Sequence, residues 1–230
     1  DASTEACSVS LTLNGEVYSR FEICPQSHSL LLLPMVDEVL KAAQCQLAQL
    51  DGLIFGQGPG SFTGVRIGIG VAQGLGFSAN LPLVGVSTLQ TMAQVAFEQQ
   101  GKTRVIAAID ARMSEVYNGY YQLDNNNIMQ PLLAESVLAP EHLAQHLSSL
   151  LENKSNQDVY AVGTGWQAYS EQLAKLTTNQ AKVEILFPHA QAMLAIGSVK
   201  FAAGESVSAE NAQPVYVRDT ISWKKLPGKE

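Results

Sequence analysis

The segment Gly56-Gln57-Gly58-Pro59-Gly60-Ser61-Phe62-Thr63-Gly64-Val65-Arg66 constrains this chain more than any other, because it reads as a turn between a strand and a helix. The apolar stretch 51–55 enters it as a short strand, and a second helix of the chain starts at about Ser61, with Ser61 and Thr63 placed to cap it. Glycines at a helix start leave backbone N–H groups free at a positive helix end, which suits an anion. The segment is no Walker loop, since no Lys-Ser/Thr follows the glycines. It lacks the Gly-x-Gly-x-x-Gly spacing, because the third glycine is Gly60. Pro59 and Thr63 stand where a nucleophile elbow around Ser61 needs glycines. Spacing alone favours a structural tight turn.

The helix that follows carries Gly64, Gly68, Gly70, Gly74 and Gly76. Each costs about 1 kcal/mol relative to alanine inside a helix, so five need a reason. That reason is close approach by another backbone, from the chain's own sheet or from a second subunit. The preceding helix, at about 29–46, sets Leu32, Met35, Val36 and Val39 at helical spacing, with Pro34 inside it near its first turn. The run Leu30-Leu31-Leu32-Leu33 supplies more apolar surface than one core face needs. The candidate partner interface therefore comprises Leu32, Met35, Val36 and Val39 of the first helix. From the second it takes Ser61, Phe62, Thr63, Arg66, Ile67, Gly70, Val71 and Gly74.

Elsewhere the pattern alternates. Strands at 8–13 and 16–24 flank Asn14-Gly15, the dipeptide of a type I′ hairpin turn. A strand at 81–86 and a helix at 87–99 lead to a hinge at 99–103. Beyond it come strands at 104–109 and 115–123, a polar turn at 124–127, a helix at 140–152, a strand at 158–162, a helix at 166–176, a strand at 183–187 and a helix at 190–203. Each half is a hairpin-containing sheet followed by alternating helices and strands, which predicts an α/β fold of two lobes, 1–102 and 103–230.

The 230 residues are 46% hydrophobic and 15% charged, which excludes disorder, collagen and coiled coil. A net charge of −7 repels phosphate backbones and argues against autonomous nucleic-acid binding. Cys7, Cys24 and Cys45 cannot all pair and form no metal spacing, which points to a reducing compartment. No leader peptide is recognisable, and the uncharged stretch 67–97 is interrupted by Gln73, Asn80, Pro82, Gln90 and Gln94, so a soluble cytoplasmic protein is expected.

Two further groupings stand out in the sequence. His142 and His146 stand at i, i+4, but Leu143 occupies the place of a metalloprotease glutamate and no carboxylate or thiol accompanies them, which favours a solvated face. Asp110-Ala111-Arg112-Met113-Ser114-Glu115 joins two strands, and Asp1, Ser3 and Thr4 form a comparable acidic turn in the first lobe. Facing each other, two such turns suit a Mg-nucleotide; ordinary capping by Asp and Ser fits the same spacing.

Taken together, several segments resemble the TsaB (YeaZ) family of bacteria. They are Asp1-Ala-Ser-Thr-Glu-Ala-Cys-Ser8, His28-Ser-Leu-Leu-Leu-Leu-Pro34, Gly58-Pro-Gly-Ser-Phe-Thr-Gly-Val-Arg-Ile-Gly68, Gly85-Val-Ser87, Asp110-Ala-Arg112 with Glu115-Val-Tyr117, Gly163-Thr-Gly-Trp166 and Pro214-Val-Tyr-Val-Arg218. The resemblance implies a two-lobed actin/Hsp70/sugar-kinase-like (ASKHA) fold with ribonuclease-H-like lobes. It implies a non-catalytic subunit in N6-threonylcarbamoyladenosine formation at position 37 of ANN-decoding tRNAs. Such a subunit dimerises with the paralogue TsaD, assembles with the ATPase TsaE, forms homodimers in isolation, and meets tRNA only through the complex. Family complexes use the first two helices of the N-terminal lobe in a helical bundle. No cofactor is implied; weak ATP binding at the lobe interface or through the complex stays open, with Asp1, Ser3, Thr4, Asp110, Arg112, Gly163 and Gly165 as a vestigial cleft.

The departures carry mechanism. Where TsaD places a His-x-x-x-His metal pair, this sequence has Thr88 and Met92, a hydroxyl and a thioether that are poor ligands for Zn²⁺ or Fe²⁺. Without that metal the chain should not transfer the group alone. Ser114 stands where the family motif has glycine, and the short apolar strand that the family has before Asp1 is not in this sequence, which would leave an edge of the first lobe incomplete. Three alternatives remain: an ATP-dependent phosphotransferase or ATPase, a glycoprotease-like metallopeptidase, and a homodimeric regulator.

Overall fold

A computed structural model describes residues 1–151, 159–173 and 182–218. The chain opens with a hairpin, β1 (Ala6–Leu13) and β2 (Glu16–Ile23), antiparallel with Leu13 opposite Glu16. Asn14 and Gly15 take φ of 52° and 87° at the tip, the two positive values a type I′ turn requires. Helix α1 (His28–Ala42) runs continuously through Pro34 but stops four residues before the expected end. Gln44 turns left-handed at φ 51°, and the Gln44 and Cys45 amides return to the carbonyls of Lys41 and Leu40. That is a Schellman cap built on glutamine rather than glycine.

A parallel pair follows: β3 (Leu53–Gly58), helix α2 (Phe62–Ala79) and β4 (Leu83–Ser87). Ser61 caps α2 by accepting from the Gly64 amide at 3.3 Å, and Asn80 closes it in the left-handed region at φ 53°. Ser87 caps α3 (Thr88–Gln100) in the same way through the Gln90 amide, and Gly101 ends it at φ 66°.

Among the described residues the second lobe is built on one five-stranded sheet. Its β5 (Arg104–Asp110) pairs antiparallel with β6 (Val116–Leu123) and parallel with β9 (Tyr160–Val162). Two three-residue strands that the sequence reading missed, β7 (Met129–Pro131) and β8 (Ser136–Leu138), both pair with β6. Helix α4 (Pro140–Leu151) precedes β9 and α5 (Gly165–Ala168) follows it. The expected helix 166–176 is thus only one turn within the described residues, and positions 152, 158 and 174–176 of the expected elements lie outside them. No strand forms over 183–187. Val183 and Ile185 are buried, and a bond from the Gly163 amide to the Ile185 carbonyl ties the segment down.

Helix α6 (Ala190–Ala202) comes last. Its sequence position suggested the second lobe, yet it packs on the first: Ala190, Met193 and Ile196 share a core with Val84 and Val86 of β4. The chain then straps across α2. Val207 bridges to Leu83, Ala209 and Ala212 join the core beneath α2, and the Val215 amide donates to the Gln57 carbonyl. Among the described residues β1 pairs only with β2 and β3 only with β4. Between them lies a cleft of about 510 Å³ lined by Leu11, Leu53, Phe55, Leu75 and Met193 among others. No described helix is long and apolar enough to cross a membrane.

Candidate functional site

Residues 1–4 decide what the glycine-rich turn does. The Ser61 amide donates to the Ser3 carbonyl at 2.7 Å, and the Gly64 amide is taken by the Ser61 hydroxyl. A Cβ on Gly60 would overlap the Ser3 carbonyl oxygen, one on Gly64 the Ala2 carbonyl oxygen, and one on Gly68 would touch Ala2. Two of the amides that could cradle an anion, those of Ser61 and Gly64, are therefore occupied by the chain itself, and the glycines at 60, 64 and 68 admit a crossing backbone. Gly76 makes room in the same way for Leu83.

Gly70 and Gly74 have no such reason. Among the described residues nothing lies within 4 Å of a Cβ at either position. They continue an i, i+4 row that starts at Phe62 and Arg66 and ends, three residues on, at Phe77. Every member of that row is exposed, Phe62 to 54% and Phe77 to 82%. Leu30 (73%) and Leu33 (50%) stand exposed on α1. Ser61 and Thr63 are exposed, and Val36, Ile67 and Val71 are half-buried. Leu32, Met35 and Val39 are a correction to the expected interface: they are buried, with Leu32 and Met35 packed in a core with Ala2, Cys7 and Cys24. The hydrophobic period of α1 could not distinguish its inward leucine from its outward ones. Phe77 was legible as the continuation of the glycine row. Tyr216 was not: it reaches the start of α2 from the strap, 5.6 Å from the Arg66 guanidinium, which itself stacks 3.4 Å from the Phe62 ring centre.

The structure brings the two acidic turns together through Arg112. Its guanidinium lies 3.1 Å from Asp110 and 3.6 Å from Glu5, one carboxylate from each lobe. Asp110 Oδ1 also accepts from the Arg112 amide and the Tyr169 hydroxyl, and its backbone amide donates to Thr164. Burial, then the Asp110 carboxylate, push the Tyr169 phenol up. Asp1 turns its carboxylate to the Ser3 amide and hydroxyl. Thr4 is buried, and its carbonyl meets His28 Nε2 at 2.7 Å. Gly163, at φ 105°, and Gly165 press on the Ala108 backbone, where Cβ atoms would clash. Both glycines of the expected cleft therefore serve packing in the second lobe.

Arg112, Met113 and Ser114 run consecutively in the left-handed region at φ 62°, 55° and 58°. That explains why glycine suits position 114: side chains other than glycine resist this conformation. The adjoining Glu115 pairs with Arg218 of the strap.

A half-buried carboxylate that sequence reasoning missed lies between the lobes. Glu135 Oε1 accepts from the Ser87 hydroxyl at the end of β4 and from the Tyr121 hydroxyl of β6. Burial pushes the Glu135 carboxyl up and, with the Glu135 charge, raises the Tyr121 phenol well above its ordinary value. Next to it, Thr88 and Met92 are fully buried. His142 and His146 are exposed on α4, and no three His, Cys, Asp or Glu side chains converge as metal ligands among the described residues.

A family model described as "TsaD: tRNA N6-adenosine threonylcarbamoyltransferase" matches residues 20–224. The Escherichia coli (strain K12) protein named tRNA threonylcarbamoyladenosine biosynthesis protein TsaB is 48% identical over 230 residues, covering all of this chain and 97% of its own length. The like-named protein of Haemophilus influenzae is 41% identical over 239 residues, covering all of this chain and 96% of its own. A solved structure described as YeaZ from Pseudomonas aeruginosa superposes with a TM-score of 0.83 at 44% identity, over 94% of this chain and 96% of that one. A second, described as an uncharacterized protein with similarity to peptidase YEAZ from the same organism, gives 0.84 at 43%, with the same coverage.

Proposed function

This chain belongs to the TsaB family, and on that premise we propose that it is a non-catalytic activating subunit in N6-threonylcarbamoyladenosine formation on tRNA, docking a TsaD-like paralogue through the exposed face of α2. The role in threonylcarbamoyladenosine biosynthesis is supported by full-length relatives at 48% and 41% identity. The docking face is supported by one observation above the rest: Gly70 and Gly74 face open space in the middle of a helix. Two exposed glycines cost about 1 kcal/mol each in helix propensity, and nothing among the described residues uses the room. A helix of a second protein laid across that notch uses it, with Phe62 and Phe77 at its two ends and Leu30 and Leu33 on the neighbouring helix as apolar contacts.

In this reading the interlobe turns hold the lobes together rather than hold a nucleotide. Both oxygens of Asp110 are engaged by the chain's own donors, and Arg112 supplies the positive charge between Asp110 and Glu5. Thr88 and Met92, which occupy the positions of the transferase's ligand pair, are sealed in the core. Chemistry on the threonylcarbamoyl group is thereby left to the paralogue, with a TsaE-like ATPase as the third component and tRNA reached through the assembly.

The test is a reconstitution. Transfer RNA, threonine, bicarbonate and ATP are combined with the adenylate-forming enzyme, the TsaD-like and TsaE-like proteins, with and without this chain, and modified adenosine is counted by mass spectrometry. Product is expected only when this chain and the TsaD-like protein are both present. Equal product without this chain overturns the proposal.

A further inference from the structure

We propose that Arg66 is a carboxylate receptor: it anchors an acidic side chain of the TsaD-like subunit at the N-terminal end of the α2 face. This rests on the docking reading above and adds to it the chemistry of one contact. Arg66 is exposed, and among the described residues no carboxylate pairs with it. It is nonetheless held in place. Its guanidinium lies over the Phe62 ring at 3.4 Å and within 5.6 Å of the Tyr216 ring, and the two rings stand 6.1 Å apart. Stacking uses the faces of the guanidinium plane and leaves its N–H groups in the plane, a fork that matches two carboxylate oxygens.

The order of this side chain is thus set before any partner arrives, so little rotamer freedom is lost on binding. The two rings meet the guanidinium from one side and leave the fork open to a partner, whose arrival excludes water and strengthens a charge-assisted pair. Arginine among exposed aromatics is also the composition of an interface hot spot. The location fits: Phe62 and Arg66 are the first two members of the row that runs on to Gly70 and Gly74. A phosphate fits the same fork, but phosphate backbones are held by several basic groups acting together. Here the nearby Arg218 is spent on Glu115, and the chain carries −7 overall. A lone unpaired arginine therefore suits one acidic protein side chain better than a run of phosphates.

The experiment is calorimetric titration of this chain with the TsaD-like protein, using wild type, Arg66→Ala, Arg66→Lys, Tyr216→Ala and Gly70→Leu, each checked for folding by circular dichroism. Arg66→Ala is expected to weaken binding about 10- to 100-fold and to flatten its salt dependence. Arg66→Lys should recover only part of that loss, because a lysine has no planar fork, and Tyr216→Ala should weaken binding by a smaller factor. If Gly70→Leu abolishes binding while Arg66→Ala leaves it unchanged, the receptor role is wrong and the docking face stands. If Gly70→Leu binds like wild type, the docking face itself fails and the receptor role with it. Unchanged protein affinity for Arg66→Ala, with weaker tRNA capture by the assembled complex, would make Arg66 a phosphate contact and overturn the proposal.

Discussion

The carbonyl oxygen of Ala2 occupies the space that a Cβ on Gly64 would need, whereas six residues further along the same helix Gly70 faces nothing. Glycines of one helix thus answer to two different neighbours, one inside the chain and one outside it. The two should respond oppositely to alanine. Gly64→Ala forces a backbone to move and is expected to cost about 1–3 kcal/mol. Gly70→Ala relieves the helix of an unneeded glycine and is expected to gain about 0.5–1 kcal/mol. Urea unfolding of the isolated chain measures both, and a shared sign would contradict this division.

Two adjacent leucines of α1 make a similar contrast. Leu32 is buried beside Cys7 and Met35, so Leu32→Ala should cost about 2–5 kcal/mol. Leu33 is half exposed, so Leu33→Lys should change stability by no more than about 0.5 kcal/mol. In a pull-down against the TsaD-like protein, however, Leu33→Lys should lose binding. Wild-type binding by this variant would remove Leu33 from the interface.

These contrasts mark the boundary of what the sequence conveyed. The hairpin at Asn14-Gly15 and the start of α2 at Ser61 were legible because each depends on two or three neighbouring residues. The end of α1 was not, because Gln44 adopts a left-handed turn that sequence rules assign to glycine or asparagine. The stretch 183–187 reads as a strand, yet its backbone does not form one, although Val183 and Ile185 are buried. The division of labour among the glycines depends on where residues 1–4 cross α2, and the Arg66 stack needs Tyr216 from a strap 150 positions away. Neither leaves a local trace. Glu135 was missed for the same reason: its hydroxyl donors come from β4 and β6, and nothing in its own neighbourhood announces burial.

Ser114 offers a test of backbone strain near the interlobe contact. It sits at φ 58° as the third consecutive left-handed residue, a conformation that costs about 1–2 kcal/mol for residues with a Cβ. Ser114→Gly should therefore stabilise the chain by about 1 kcal/mol, and Ser114→Val should destabilise it. Because Arg112 and its partners Glu5 and Asp110 are untouched, the gain should appear without loss of the ion pair between the lobes. A Ser114→Gly variant that unfolds at lower urea than wild type would place the strain elsewhere.

Glu135 predicts how stability responds to pH. Burial raises its carboxyl above the ordinary value of 4.5, so the folded chain binds the proton more tightly than the unfolded one. The sign follows from linkage: the favourable contribution is fully present below the unfolded value and is lost as pH rises through the raised folded value. At neutral pH the half-buried charge is a liability, offset by the hydroxyls of Ser87 and Tyr121. Glu135→Gln keeps an acceptor for those hydroxyls and removes the charge. It should equal or exceed wild type in stability at pH 7, by about 1 kcal/mol. As pH falls through the raised value toward 4.5 the wild type should gain on the variant. Thermal unfolding of both proteins at pH 7 and at pH 4.5 reads this directly. Parallel stability across that window would mean that Glu135 does not change its protonation there, and that the contact between the lobes is insensitive to acid.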